Sequence, residues 1–157
     1  MWNLRKSLSR HLNNWRGWRT HRKIVVIESD DWGSICMPSK KVYESLLSKG
    51  IHVDKCPYAT YDSLANENDL NAIFSILASV KDSRGRPAVL TANTIMTNPD
   101  FEKIEESGFL EYRFELFTDS FSKYGARFNS LDYFNEGKKA GIFCPQFHGR
   151  EHLNVKE

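Results

Sequence analysis

Two short stretches hold the residue types that could do chemistry: Glu28-Ser29-Asp30-Asp31-Trp32-Gly33 and His148-Gly149-Arg150-Glu151-His152. Adjacent carboxylates repel each other unless a cation or a good set of hydrogen bonds holds them. Two histidines four residues apart can face the same side of a helical turn or compact loop. Two imidazoles and one carboxylate suit a divalent metal with open coordination positions, and such an ion lowers the pKa of bound water and polarises a carbonyl. The second carboxylate is then left as a base for the water proton. Taken singly, each signal has an ordinary meaning, an acidic loop with a helix cap or a pair of surface histidines. Their shared position, each just after an apolar run, is what joins them.

Those apolar runs read as buried β-strands over residues 23–28 and 142–147, β-branched or apolar without alternation. A further strand is expected over 88–92, ending at Asn93, and another over 112–117. Helical spacing predicts helices over 40–49, with Ser39 as N-cap, over 67–82, capped by Asn66 or Ser63, over 99–108, with Pro99 in the first helical position, and over 131–140. Residues 51–62 read as irregular, and His52, Tyr58 and Tyr61 there either line a pocket or pack as an ordinary loop. The order β-α-α-β-α-β-α-β is that of an α/β fold with parallel β-strands alternating with helices, open or partly closed as a barrel. Parallel strands open their C-terminal ends on one edge, where α/β folds place their chemistry. A closed (β/α) barrel takes roughly 200 residues or more. The expectation is therefore a small open domain, or the N-terminal half of a larger one, over residues 23–157.

The net charge of +2 conceals an uneven distribution. Residues 1–27 contain seven Lys or Arg and no acid, which leaves 15 basic against 20 acidic residues in the remainder, a balance of −5. Residues 1–22 form a basic N-terminal segment, with an amphipathic helix expected over 3–19, where Leu4, Leu8, Leu12 and Trp15 share a face. Three of the four tryptophans, Trp2, Trp15 and Trp18, lie in it. Its readings are a helix covering the domain, a helix lying on an anionic membrane surface through residues 1–20, or a phosphate-binding arm. No nucleic-acid motif accompanies the last, and no nucleic-acid partner is expected. Three cysteines without Cys-x-x-Cys spacing argue against a disulfide framework and for reduced thiols in the cytoplasm. No apolar run reaches the length of a membrane span, and Arg10, His11, Asn13 and Asn14 interrupt any signal-peptide core. The expected location is cytoplasmic, with peripheral membrane association as the variant. Oligomeric state stays open.

The two chemical stretches resemble the first two motifs of the polysaccharide deacetylase family, the NodB-homology fold of carbohydrate esterases. That family opens with a strand followed by Thr-Phe-Asp-Asp-Gly and later has a His-Ser/Thr-x-x-His segment. Here Ser29-Asp30-Asp31 and His148-Gly149-Arg150-Glu151-His152 stand in the same order. The resemblance implies Asp30 as general base and Asp31, His148 and His152 as ligands of a divalent metal, most readily zinc. It implies hydrolysis of an acetyl group on an acetylated glycan substrate, and a partial or distorted (β/α) barrel of the deacetylase type. An alternative is a catalytically inactive relative acting as a glycan-binding or assembly module. The chain departs from the motif where Ser29 replaces an aromatic residue, Trp32 separates Asp31 from Gly33, and Gly149 stands for Ser or Thr. The resemblance covers the N-terminal half of the family's domain, without its later Arg-Pro, Asp/Trp and late-His motifs. His52 and Glu151 are the remaining candidates for a general acid.

Overall fold

The computed structural model describes residues 2–15, 17–124 and 130–151, so Arg16 and His152 lie outside the described residues. The chain is a mixed α/β protein built on a three-stranded parallel sheet. Helix α1 spans Trp2–Asn13 and strand β1 spans Ile27–Trp32. Helix α2 (Lys40–Ser48), a 3-10 turn (Val53–Lys55), helix α3 (Pro57–Thr60) and helix α4 (Glu67–Ser79) lead to strand β2 (Leu90–Ile95). Strand β3 (Thr97–Pro99), helix α5 (Phe101–Glu106), strand β4 (Phe114–Leu116) and helix α6 (Phe117–Tyr124) follow. Helix α7 (Ser130–Lys139) precedes strand β5 (Phe143–Gly149).

The parallel sheet has the order β1-β2-β5, so the two chemical stretches flank one central strand. Among the described residues the sheet does not close into a barrel. The strand expected over 112–117 shortens to β4, which pairs antiparallel with β3 in a separate two-stranded sheet. The first strand begins at Ile27 instead of residue 23. Its pairing starts at Ile27↔Leu90, because the chain before Leu90 is committed elsewhere, Ala88 N–H bonding the carbonyls of Leu77 and Val80. Ile24, Val25 and Val26 therefore have no strand to pair with and stand 51%, 85% and 69% exposed. β2 is shifted in the same sense, to Leu90–Ile95. The expected N-terminal helix over 3–19 ends at Asn13, where Asn13, Asn14 and Gly17 are poor helix formers.

Local capping fixes the helices that the sequence foretells. Ser39 Oγ accepts from Val42 N–H at the start of α2, and Asn66 with Asp69 forms a reciprocal capping box on α4. Pro99 closes β3 instead of opening a helix, and Asp100 is the N-cap of α5.

One hydrophobic cluster joins sheet and helices: Leu90, Ala92 and Phe143 from the strands, Leu70 and Leu77 from α4, Phe121 from α6 and Phe134 from α7. Trp32, at the end of β1, packs edge-on against Phe143 at 5.1 Å and Phe134 at 6.1 Å between ring centroids. The first chemical stretch is thus anchored to the strand that bears the second. α7 approaches this cluster through Gly137, where a Cβ would lie 2.5 Å from Phe74 Cζ and 2.7 Å from Phe143 Cβ. Any side chain at Gly137 would push the helix off the sheet.

A polar network ties the small sheet to α6. Asp100, 3% exposed, pairs with Lys103 at 2.7 Å and Lys123 at 3.5 Å, and Lys123 also reaches Glu102 and Glu115. Burial pushes the Asp100 carboxyl up, but the hydrogen bonds from Lys103 and the charge of Lys123 outweigh it and hold the group below the usual carboxylate range. A depressed carboxyl pKa stabilises the fold above the unfolded pKa, and the contribution is lost as pH falls through the folded value. Urea midpoints should therefore drop as pH falls below about 4. Asp100→Asn keeps the helix cap, loses about 2 kcal/mol at neutral pH and flattens that pH dependence. An unchanged acid slope in the variant would remove Asp100 from the account.

Candidate functional site

Both chemical stretches sit on irregularities of the sheet. The β1–β2 register runs Ser29↔Ala92 and then Trp32↔Thr94, so Asp30 and Asp31 together oppose Asn93. On the other side of β2 the register runs Thr94↔Phe147 and then Ile95↔Gly149, which leaves His148 without an opposed residue. Bulges of this kind re-aim side chains and are common beside active sites. Here they act in pairs. Asp31 takes a left-handed backbone, φ +64°, which Asp tolerates better than most residues.

The kink separates the roles of the two carboxylates. Asp30 Oδ1 accepts a hydrogen bond from Asn93 Nδ2 at 2.7 Å. Asp31 Oδ1 lies 3.5 Å from His148 Nε2, across the width of β2. The sequence expectation that the acidic pair and the histidine stretch meet is met in space by Asp31 and His148.

Four further contacts hold this geometry. Trp32 turns back into the core, as described. Gly33, φ +83°, lets the chain pass Phe117, because a Cβ there would lie 2.9 Å from Phe117 Cδ2. Asn98, 1% exposed, pins the following loop, its Nδ2 donating to Gly33 O at 2.8 Å and Ser120 Oγ at 2.9 Å while Oδ1 accepts from Ile35 N–H at 3.0 Å. Asp62 Oδ2 accepts from the backbone N–H of Cys36 and Met37 at 2.7 and 2.6 Å. Asn93, Asn98 and Asp62 are the positioning residues that sequence reasoning missed. The available signal was Asn93 at the end of an expected strand; Asn98 and Asp62 carry no comparable local signal.

On the other stretch, the carbonyls of Gly149 and Arg150 accept from Met96 N–H at 3.1 Å, and Arg150 O accepts from Thr97 N–H and Thr97 Oγ1 at 2.7 and 2.8 Å. Glu151, its side chain 3% exposed, pairs with Arg150 and accepts from the Tyr112 hydroxyl. Burial, reinforced by the Glu151 hydrogen bond, pushes the Tyr112 phenol well above its ordinary pKa, so it stays a donor. Glu151 is thereby committed to structure. His52 sits 3.6 Å from Asp54 and is well exposed. Neither candidate acid is among the residues that line the cleft at the carboxylate pair.

Asp30 and Asp31 open into a cleft of 790 Å³ walled by Cys36, Asp62, Tyr58 and Tyr61. Of the segment 51–62, Tyr58 and Tyr61 line this cleft, each 81% exposed, while His52 does not. Desolvation of the Cys36 sulfur and the nearby Asp62 carboxylate raise its thiol pKa, which disfavours the thiolate. The three cysteines are free.

Zinc holds imidazole nitrogen and carboxylate oxygen at about 2.0–2.2 Å, which puts two ligands of a tetrahedral ion roughly 3.3–3.5 Å apart. The Asp31–His148 separation of 3.5 Å fits that spacing without adjustment. Among the described residues no group of three His, Cys, Asp or Glu gathers at metal-binding distance, and the third expected donor, His152, lies outside them. No described helix is long and apolar enough to cross a membrane. Comparison with protein-family models, curated proteins and solved structures gives no match.

Proposed function

We propose that the chain is a metal-dependent hydrolase that removes acetyl groups from a polysaccharide or sugar substrate, its sheet being part of a distorted (β/α) barrel of the deacetylase type. The observation that carries this reading is the 3.5 Å approach of Asp31 Oδ1 to His148 Nε2 beside a second carboxylate, at the rim of an open cleft. Asp31 and His148 would hold a divalent ion such as zinc, with His152 as the third donor. When bound, the ion would lower the pKa of a water and polarise the acetyl carbonyl.

The rest of the chemistry belongs to the chain. Asp30 takes the proton from the attacking water as general base. The Asn93 amide fixes the Asp30 carboxylate through its 2.7 Å hydrogen bond, so the base is oriented before substrate arrives. Tyr58 and Tyr61 offer exposed ring faces at the cleft, suited to the apolar faces of sugar rings, while Asp62 offers a carboxylate to sugar hydroxyls. The test is turnover of an N- or O-acetylated oligosaccharide by the zinc- or cobalt-loaded chain, read as released acetate. Asp30→Asn should lower kcat by about 10²–10⁴, and Tyr58→Ala with Tyr61→Ala should raise KM roughly tenfold with little change in kcat. Acetate release that survives Asp30→Asn unchanged would refute the assignment of the base.

One observation favours a second reading, a glycan-binding module without turnover. Glu151 is bound to Tyr112 and Arg150, and His52 pairs with Asp54 and does not line the cleft, so neither general-acid candidate of the sequence is placed to protonate a leaving group there. Saturable oligosaccharide binding lost in the Tyr58/Tyr61 variant, with no acetate released by the metal-loaded chain, would decide for it.

A further inference from the structure

The N-terminal arm takes no part in the chemistry above and carries a signal of its own. None of its described side chains joins the hydrophobic cluster. α1 leaves Leu8 54% and Leu12 71% exposed, and Trp15 and Trp18 beyond it are 74% and 79% exposed. Leu8 and Leu12 share the apolar face of α1, with Lys6 and Arg10 on the opposite side. A twelve-residue helix is marginal alone in water and is ordinarily stabilised by burial of such a face.

We infer that this arm is a peripheral anchor that lays α1 on an anionic lipid surface. Charge complementarity selects that occupant. Residues 1–27 carry seven cationic residues and no anion, while the remaining body balances to −5. An anionic membrane attracts the first and repels the second, so the body is held off the surface while α1 lies in it. The exposed tryptophans, amphipathic and at the arm's C-terminal end, suit the headgroup boundary. A nucleic-acid strand would draw on the same cations but leaves the leucine face uncovered. Docking of the arm on the acidic body would use the charges, yet the four large apolar side chains named above stand exposed beside that body.

The test is co-sedimentation of the full chain with vesicles of phosphatidylcholine alone and of equal parts phosphatidylcholine and phosphatidylglycerol, with tryptophan emission as second readout. The chain should partition onto the anionic vesicles only, in a salt-sensitive manner, with a blue shift. Arg5→Glu with Arg10→Glu should weaken partition by at least about 25-fold, since losing two cations costs roughly fivefold each and the two new carboxylates are repelled besides. Trp15→Ala with Trp18→Ala should weaken it several-fold while the salt sensitivity stays. These residues lie outside the core, so unfolding midpoints should match the parent chain. No partition onto anionic vesicles overturns the proposal. So does equal binding by the charge-reversed variant, equal partition onto neutral vesicles, or retention of an RNA or DNA oligomer by a chain that ignores vesicles.

Discussion

His148→Ala and Asp31→Asn are each expected to cut zinc or cobalt affinity at least 10²-fold, read by titration calorimetry and by the visible absorption of cobalt. Loss of a group that merely supports a ligand costs 10- to 100-fold, so loss of a ligand itself should exceed that range. Asn is the informative replacement at position 31. It tolerates the left-handed backbone that Asp31 adopts at φ +64°, so the fold is kept while the anionic donor goes. Alanine there would add backbone strain of roughly 1–2 kcal/mol and confuse lost affinity with lost structure. Asp31→Gly supplies the converse control, since it accommodates the same φ freely; the metal-free variant should unfold within about 1 kcal/mol of the parent. Asp30→Asn should leave metal affinity within a few-fold, because Asp30 is engaged by Asn93 and not by His148. If His148→Ala and Asp31→Asn both bind cobalt as the parent does, the 3.5 Å contact is an ion pair and nothing more. The metal-dependent reading then ends.

The helices that the sequence reveals are those with local signals. Ser39 and Asn66 cap α2 and α4 through hydrogen bonds made within the first helical turn, so α2 and α4 begin where expected. α6 was missed although Phe117, Phe121 and Tyr124 recur at helical spacing, because the acidic and aromatic residues before it read as one longer strand. Strand limits depend on partners far away in sequence. Ile24-Val25-Val26 has the composition of a buried strand and is exposed, because β2 opposes the chain only from Ile27 onward. The order of the two chemical stretches about one sheet was legible in their position after apolar runs. Their meeting at one edge was expected from parallel strand ends, but that Asp31 and not Asp30 faces His148 was not legible, since it comes from two bulges flanking β2, and a bulge is a matter of register that no single strand's pattern encodes. Asn98-Pro99-Asp100 shows the same limit. It reads as a helix start, and only Asp100 serves as one, while Asn98 is drawn inward to bond a loop more than sixty residues away.

Asn98→Ala should therefore cost about 3–5 kcal/mol in urea unfolding and lower metal-dependent turnover with it. The change strips partners from Gly33 O, Ile35 N–H and Ser120 Oγ at a site where Asn98 is only 1% exposed. Each buried polar group left unsatisfied costs about 1–3 kcal/mol, and Ser120 keeps its bond to Glu115 Oε1, which limits the sum. The consequence for the site is separable from the loss of stability. Gly33 to Ile35 is the stretch that returns the chain from the acidic pair, so once it is loose the Asp30 and Asp31 carboxylates lose their fixed aim. Below the unfolding transition, hydrogen exchange of the Ile35 amide should accelerate while that of β2 amides stays slow. Asn98→Asp tests the donor alone. It keeps the acceptor for Ile35 N–H, loses the donor to Gly33 O and Ser120 Oγ, and sets a buried charge within reach of Glu115 through Ser120; it should destabilise at least as much as alanine at neutral pH and recover as pH falls from neutral toward about 4, because burial raises the new carboxyl's pKa above its unfolded value. A variant at position 98 that unfolds like the parent, or one whose Ile35 amide exchanges no faster, would show that the loop bearing the carboxylate pair is held by something other than this side chain.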